Sequence, residues 1–348
     1  MGDYYMSSRK TYILHIDGLK GLACVMIMVG HYIGLYRFAE YFPGELTGFG
    51  SFLNSKLGFI LDEQFYVKLF FIISGYLVSK SSIDSKKKLL KKCVQRFLRL
   101  GLPVLFAYGI IWVLYQTIGF YTAETENFVM NTWFQTMYLG EFQIVDVFKS
   151  PIDVLFLNKY DWNAPYWVLR EMFYASLIIY VFNYLKTCMK KDIILVLVAA
   201  GLIVGYIGIY DVGVACLIGM LLSWMEKDDK KYIVILIALG AFVVYKGYYS
   251  WVFFCLLIKG LPKIEWLKKL FSSKAMLFLG KISFGIYSFH WPVFCSLGMI
   301  IFMKTCGVYG AVIVLIVSGI CTTVLTIVIS IVYYYVFEKQ TYQLIGKM

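Results

Sequence analysis

The chain has 348 residues, of which 60% are hydrophobic and 16% charged, and its mean hydropathy is +0.73. This composition excludes a soluble domain of this length, and no polar stretch is long enough to fold as a separate soluble domain. The formal net charge of +12 would suit a nucleic-acid partner, but the basic residues are distributed as membrane topology signals, so we expect no nucleic acid.

Apolar segments recur along the chain, and several approach the ~20 residues that a membrane-spanning helix needs. They predict an all-α polytopic membrane protein of about ten transmembrane helices, organised as a single domain over residues 1–348. In chain order the predicted spans are 16–35, 65–79, 101–119, 166–185, 192–209, 212–225, 232–246, 249–260, 280–303 and 308–337.

The basic residues orient these spans. With a cytoplasmic N-terminus and alternating spans, 23 Lys and Arg residues lie in cytoplasmic segments and six in outer ones, so both termini are predicted to be cytoplasmic. Asp17 and Lys20 interrupt the first apolar run and no small-residue cleavage site follows it, which indicates a retained helix rather than a signal peptide. The eight Cys residues form no C-x-x-C pair, so neither a disulfide framework nor a metal site is expected.

The first span carries ionisable groups at membrane depth, where such groups are costly and usually functional. An α-helix turns ~100° and rises ~1.5 Å per residue, so Lys20 and His31 share one face and lie ~16 Å apart. A cation near the cytoplasmic entrance and a base deeper in the membrane would suit a substrate with an anionic head and a long neutral tail. The alternative is that Lys20 extends to the lipid headgroups and His31 bonds a neighbouring helix.

The segment that joins the second and third spans, KKKLLKKCVQRFLRLGLP at residues 86–103, is also basic. On a helix, Lys92, Arg96 and Arg99 share a face, and Pro103 lies near the predicted start of the third span. Guanidinium groups bind phosphate well. Arg96 and Arg99, next to the apolar run, are therefore candidates for contacting a ligand.

These motifs resemble the acyltransferase 3 family of integral-membrane acyltransferases, many of which O-acetylate bacterial surface polysaccharides. The most specific element is DGLKG…GH, in which ten residues separate Lys20 from His31. Further similar stretches are LFFIISGYL at 69–77, RFLR at 96–99, YWVLREMFY at 166–174, ISFGIYSFHWP at 282–292 and FEK at 337–339. The resemblance covers nearly the whole chain, without the extracellular domain that is fused to some members.

The resemblance implies a donor, an acceptor and a location. The donor is acyl-CoA, with acetyl-CoA expected, bound from the cytoplasmic side with its phosphates at Arg96, Arg99 and Lys20. The acceptor is a hydroxyl of an extracytoplasmic glycan, such as a capsular or other surface polysaccharide. The reaction would take place in a bacterial cytoplasmic membrane, with the thioester delivered near His31.

His31 is the predicted catalytic residue. As a neutral imidazole it would take the proton of the acceptor hydroxyl during attack on the thioester, and an acyl-histidine intermediate is an open alternative. Ser74 and Tyr76 are candidate donors to the oxyanion.

Two further ionisable residues lie in predicted spans. Glu171 either orients His31 or forms a structural ion pair with Arg170, Lys68 or Lys281. His290, close to Pro292, is interpreted as a packing histidine near a helix kink.

The long outer segment 120–165 contains eleven aromatic residues, among them Trp133, Phe134, Tyr138, Tyr160 and Trp162, and six acidic ones. Aromatic rings among carboxylates suit carbohydrate, but aromatic residues also anchor proteins at membrane interfaces. The main alternative function is a secondary transporter or flippase for a sugar or a lipid-linked intermediate, against which the lack of an internal sequence repeat argues. A membrane scaffold or sensor is a second alternative.

Overall fold

The computed structural model describes residues 14–36, 47–55, 57–122, 138, 140–190, 211–225 and 249–348. In this part of the chain the structure is helical and contains no strand, which confirms the all-α class. Five helical segments in it are long and apolar enough to cross a membrane: Leu14–Gly34, Lys86–Thr117, Ala164–Cys188, Lys274–Thr305 and Val312–Lys347.

The helices are numbered in chain order. They are α1 (Leu14–Tyr36), α2 (Thr47–Leu53), α3 (Glu63–Ser79), α4 (Lys86–Thr117), α5 (Ile144–Ile152), α6 (Trp167–Cys188), α7 (Asp211–Trp224), α8 (Tyr249–Gly260), α9 (Glu265–Phe271), α10 (Lys274–Val293), α11 (Met299–Thr305), α12 (Ala311–Tyr333) and α13 (Lys339–Lys347). Three π-helical turns, Asp153–Leu157, Phe294–Gly298 and Tyr334–Glu338, directly follow α5, α10 and α12.

The predicted spans agree in part with these helices. The spans 65–79, 212–225 and 249–260 correspond to α3, α7 and α8, which have 17, 14 and 12 residues. The spans 192–209 and 232–246 lie outside the described residues, so the number of ten stays a prediction.

The helix that contains the predicted third span begins well before Pro103, near which the sequence suggested its start. Helix α4 is continuous from Lys86 to Thr117, with Pro103 inside it. The hydroxyl of Tyr333 donates to the Pro103 carbonyl at 2.8 Å. Arg96 and Arg99 therefore belong to the same rigid helix as the apolar residues that follow them.

The directions of the helices follow from the contacts between their ends. Gly30 of α1 packs against Glu63 at the start of α3, and Asn183 near the end of α6 donates to the carbonyl of Ser79 at the end of α3 (2.9 Å). Helix α3 therefore runs antiparallel to α1 and parallel to α6. We call the end of the bundle at Lys20 the basic end and the opposite end the histidine end.

Helices α1 and α10 run parallel and approach each other closely. Gly18 packs against Phe271 and Met276, and Gly21 packs against Leu279 and Gly280. A methyl group on Gly21 would overlap the backbone of α10. The contact fixes the axial register of α1 and α10, and therefore which side chains of the two helices lie side by side.

We expect Gly21→Ala to lower the melting temperature of the detergent-solubilised protein, because the two backbones would have to separate. Overpacking of this kind costs about 1–3 kcal/mol. Gly34→Ala is the matched control: it lies in the same helix, and no atom of the described residues lies within 4 Å of an added methyl group. Equal melting temperatures for the two variants would contradict the close packing of α1 on α10.

Candidate active site

Two histidines meet at the histidine end of the bundle. His31 Nδ1 lies 2.9 Å from His290 Nε2, and the rings stack with centroids 5.1 Å apart and an interplanar angle of 7°. His290 is fully buried, and Trp291 packs edge-on against His31 at 5.5 Å. The sequence analysis treated His290 as a packing histidine; the structure instead makes it the direct partner of His31.

A narrow cleft extends from His31 along α1 towards the basic end. Its walls come from the middle of α1, the first half of α3, the start of α6 and Tyr287 of α10. The lining residues are Cys24, Ile27, His31, Gln64, Val67, Phe70, Phe71, Pro165, Trp167, Val168 and Tyr287. Since Cys24 and His31 are seven residues apart, the cleft follows ~10 Å of α1. Most of these side chains are apolar, which suits a long neutral chain.

Hydrogen bonds to α10 hold the cleft wall at the start of α6, and one of them depends on Pro292. Pro292 has no N–H, so the Ser288 carbonyl lacks its partner within the helix. The side-chain amide of Asn163 donates to this carbonyl at 2.8 Å. The hydroxyl of Tyr287 donates to the Pro165 carbonyl. These bonds hold the segment before α6 beside the two histidines.

Arg96 and Arg99 lie next to the end of this cleft that faces the basic end of the bundle. Arg96 Nη2 donates to Ser74 Oγ at 3.5 Å, and Ser74 follows Phe70, a cleft residue, by one turn of α3. The Nε atoms of both arginines are buried without a hydrogen-bond partner, and neither guanidinium pairs with a carboxylate of the described residues. Both arginines are half-buried, and a partly desolvated cation without a counter-charge is costly, so this part of the protein is suited to bind an anion.

Lys20 lies at the same end. Its Nζ is 3.9 Å from Asp17 Oδ1, and it interacts electrostatically with the buried Glu338. Glu338 Oε1 accepts a hydrogen bond from the Tyr342 hydroxyl at 2.8 Å, and that hydroxyl is close enough to both arginines to interact with their charges. The structure therefore brings all three predicted phosphate-binding residues together. It also adds Glu338, to which the sequence analysis gave no role beyond its place in a motif.

The structure does not bring Ser74 and Tyr76 to His31. Because α3 runs antiparallel to α1, residues that follow Phe71 lie progressively nearer the basic end. Ser74 contacts Arg96, and the ring of Tyr76 lies 4.6 Å from Lys80 Nζ. Neither residue can donate to an oxyanion at His31 in this arrangement.

The lining of the cleft offers other donors. Gln64 carries a side-chain amide and Trp167 an indole N–H, and both residues line the cleft with His31. The sequence analysis gave no role to Gln64 and included Trp167 only within the motif at 166–174, because neither residue is titratable or part of a charged cluster.

Glu171 does not contact His31. In the part of the chain that the structure describes, it forms neither a hydrogen bond nor an ion pair with Arg170, Lys68 or Lys281. Arg170 instead lies over the ring of Tyr174, 6.0 Å from its centroid. Neither contact that the sequence analysis offered for Glu171 is present among the described residues, and the ring that meets His31 Nδ1 is that of His290.

The outer segment is more structured than expected of a loop, since it contains α5 and the π-helical turn that follows it. Trp162 is buried and stacks on Phe142, with centroids 4.3 Å apart, and on Tyr138 at 5.7 Å. These rings form a packed cluster and are not exposed platforms for a sugar. Trp133 and Phe134 lie outside the described residues.

Comparison with known proteins identifies the family. The family model described as an acyltransferase domain matches residues 13–335, nearly the whole chain, whereas no curated protein and no solved structure gives a significant match. The matched range contains both histidines, both arginines and every residue of the cleft. No group of three or more His, Cys, Asp or Glu residues that could hold a metal ion occurs in the described ranges. The chain belongs to the acyltransferase 3 family, and helices α1 to α12 lie within the range that matches its acyltransferase domain.

Proposed function

We propose that the protein is an acyl-CoA-dependent O-acetyltransferase of the bacterial cytoplasmic membrane. It would take an acetyl group from cytoplasmic acetyl-CoA and transfer it to a hydroxyl of an extracytoplasmic glycan, such as a capsular or other surface polysaccharide. The observation that carries this proposal is an apolar cleft with a histidine at one end and, next to the other end, two arginines that pair with no carboxylate of the described residues.

Helix geometry supports a continuous path between these two places. On α1, Lys20, Cys24, Ile27 and His31 follow one another at spacings of four, three and four residues, so they form one stripe along the helix. On α3, the stripe from Val67 through Phe70 and Phe71 continues to Ser74, which contacts Arg96. Both stripes therefore lead from the basic end to His31. A donor with its phosphates at the arginines and its pantetheine arm along the cleft would present a thioester at the imidazole.

The chemistry at the histidine end follows from this placement. His31 takes the proton of the acceptor hydroxyl while the oxygen forms a bond to the thioester carbonyl carbon. The carbon–sulfur bond then breaks, and the proton passes to the thiolate of CoA. Gln64 and Trp167 are the candidate donors to the oxyanion. The basic residues near the arginines are consistent with a cytoplasmic location for that end.

The proposal is tested by supplying purified protein in vesicles with acetyl-CoA labelled in the acetyl group and, separately, in the adenine, together with cell-envelope glycans. We expect acetyl label on the glycan and no adenine label. A transporter or flippase would leave the glycan without covalent label. Absence of label from every glycan that is offered, with active protein verified by acyl-CoA binding, would overturn the assignment.

The position of Ile27 on the cleft wall predicts a preference for a short acyl chain. Ile27 lies one turn before His31 on the cleft wall, so Ile27→Ala would open space where the acyl group lies. Space for one additional methylene changes the kcat/KM ratio between two substrates by about 10-fold or more. For Ile27→Ala we therefore expect kcat/KM for propionyl-CoA to rise about 10-fold relative to that for acetyl-CoA. Ile33→Ala, in the same helix but outside the cleft, is the control. An unchanged ratio in Ile27→Ala would contradict this placement of the acyl group.

A further inference from the structure

The hydrogen bonds around His290 determine which nitrogen of each histidine carries a proton. His290 Nδ1 lies 2.9 Å from the carbonyl oxygen of Ile286. A carbonyl oxygen only accepts, so His290 Nδ1 must donate. A neutral imidazole has one N–H, and His290 Nε2 is therefore an acceptor. The group that meets this acceptor at 2.9 Å is His31 Nδ1, which must carry its own proton.

We infer that His290 is a positioning residue that holds His31 in the tautomer with the proton on Nδ1. The lone pair of His31 is then on Nε2, the nitrogen that is not bonded to His290. The inference rests on the proposed function in one respect, since it identifies Nε2 as the atom that takes the proton of the acceptor hydroxyl.

A neutral partner distinguishes this pair from a histidine oriented by a carboxylate. In the described part of the chain, no carboxylate contacts His31, and the titratable group that acts on it is His290. When His31 accepts a proton at Nε2, its Nδ1–H bond to His290 becomes charge-assisted and therefore stronger. The pair then shares one positive charge until the proton passes to the thiolate of CoA.

Burial and hydrogen bonding restrict the orientation of the His290 ring. His290 and Ser288 are fully buried, and the bonds from Asn163 and Tyr166 to Ser288, both 2.8 Å, hold this part of α10 in place. The imidazole of His290 therefore has little freedom to turn and reverse its donor and acceptor atoms. A structural histidine would need only to fill this space, whereas a positioning histidine must present an acceptor.

The tautomers can be measured directly because the chain contains three histidines. In protein labelled with ¹⁵N-histidine, we expect nitrogen NMR signals of protonated Nδ1 and unprotonated Nε2 for both His31 and His290, assigned with His15→Gln and His290→Gln. A proton on Nε2 of His31 would overturn the inference. This readout does not depend on transferase activity, so its failure and the failure of the proposed function are distinguishable.

Two variants separate positioning from packing. His290→Gln keeps an acceptor near the place of Nε2, and we expect kcat within about 10-fold of the parent protein. His290→Phe fills the space without an acceptor, and we expect kcat to fall by roughly 100-fold or more with an unchanged KM for acetyl-CoA. Acetyl-CoA binding and melting temperature verify that both variants fold. Equal kcat values for folded Gln and Phe variants would show that His290 only packs, and would overturn the inference.

Discussion

His31→Ala is expected to lower the rate of acyl transfer by roughly 10³-fold or more, because general-base catalysis by a positioned side chain contributes about 10²–10⁴-fold. No other imidazole among the described residues lines the cleft, so the variant leaves no histidine on the cleft wall. The side chain lies at the end of the cleft opposite the arginines, and its removal should leave acyl-CoA binding intact. Initial rates and acyl-CoA affinity of the purified variant check both parts of the prediction.

The matched control for this variant is His15→Ala. His15 lies in the same helix but near the basic end, outside the cleft, and we expect its loss to change the rate little. Normal turnover by His31→Ala, or a loss of acyl-CoA binding as large as the loss of rate, would contradict the catalytic assignment.

Labelling of the parent protein and of His31→Ala distinguishes direct transfer from an acyl-histidine intermediate. Incubation with labelled acetyl-CoA and no acceptor should leave the protein unlabelled if the transfer is direct. Label that stays on the protein after removal of CoA, and that is absent from His31→Ala, would indicate a covalent intermediate at His31.

The parts of the site that could be predicted from the sequence are those that depend on the periodicity of a single helix. The shared face of Lys20 and His31 depends only on the geometry of one helix, and so does the shared face of Arg96 and Arg99. Whether the residues of α1 and the arginines of α4 lie near one another depends on long-range packing, which local periodicity in a single sequence does not give. The family resemblance supplied that connection, and the structure places Lys20 and both arginines at one end.

The role of His290 could not be predicted in the same way. His290 is 259 residues from His31 along the chain, and their contact depends on how α1 and α10 lie along each other. That placement is set by the close approach of Gly21 and Gly280, two residues that look unremarkable in sequence. The motif ending in His-Trp-Pro was the available signal, and its proline pointed to a kink rather than to a partner.

Ser74 and Tyr76 lie away from His31 for a topological reason. A span that follows α1 runs in the opposite direction, so its later residues approach the basic end. Applied to α3, this rule would have placed Ser74 near the arginines from sequence alone. The packed aromatic cluster at Trp162 is a different case, because the same aromatic composition is compatible with an exposed sugar site and with a buried core.

The largest expected effect on binding is that of the double variant Arg96→Ala/Arg99→Ala. Hydrogen bonds to charged groups contribute about 1.5–3 kcal/mol each, so loss of both guanidiniums should weaken acetyl-CoA binding by roughly 10²- to 10⁴-fold. The site has no carboxylate that pairs with these arginines among the described residues, so the variant should stay folded. Isothermal titration of the detergent-solubilised protein measures the effect.

A truncated donor makes this test specific. Acetyl-pantetheine has the thioester and the neutral arm of acetyl-CoA but no phosphates, so the parent protein and the double variant should use it at similar rates. Lys87→Ala/Lys91→Ala, which removes two exposed cations from the same helix, should keep the affinity for acetyl-CoA. If the double arginine variant lost activity equally with both donors, the arginines would be stabilising the helix bundle rather than binding phosphate. A selective loss with acetyl-CoA would instead place the phosphates at α4, next to the end of the cleft that lies opposite His31.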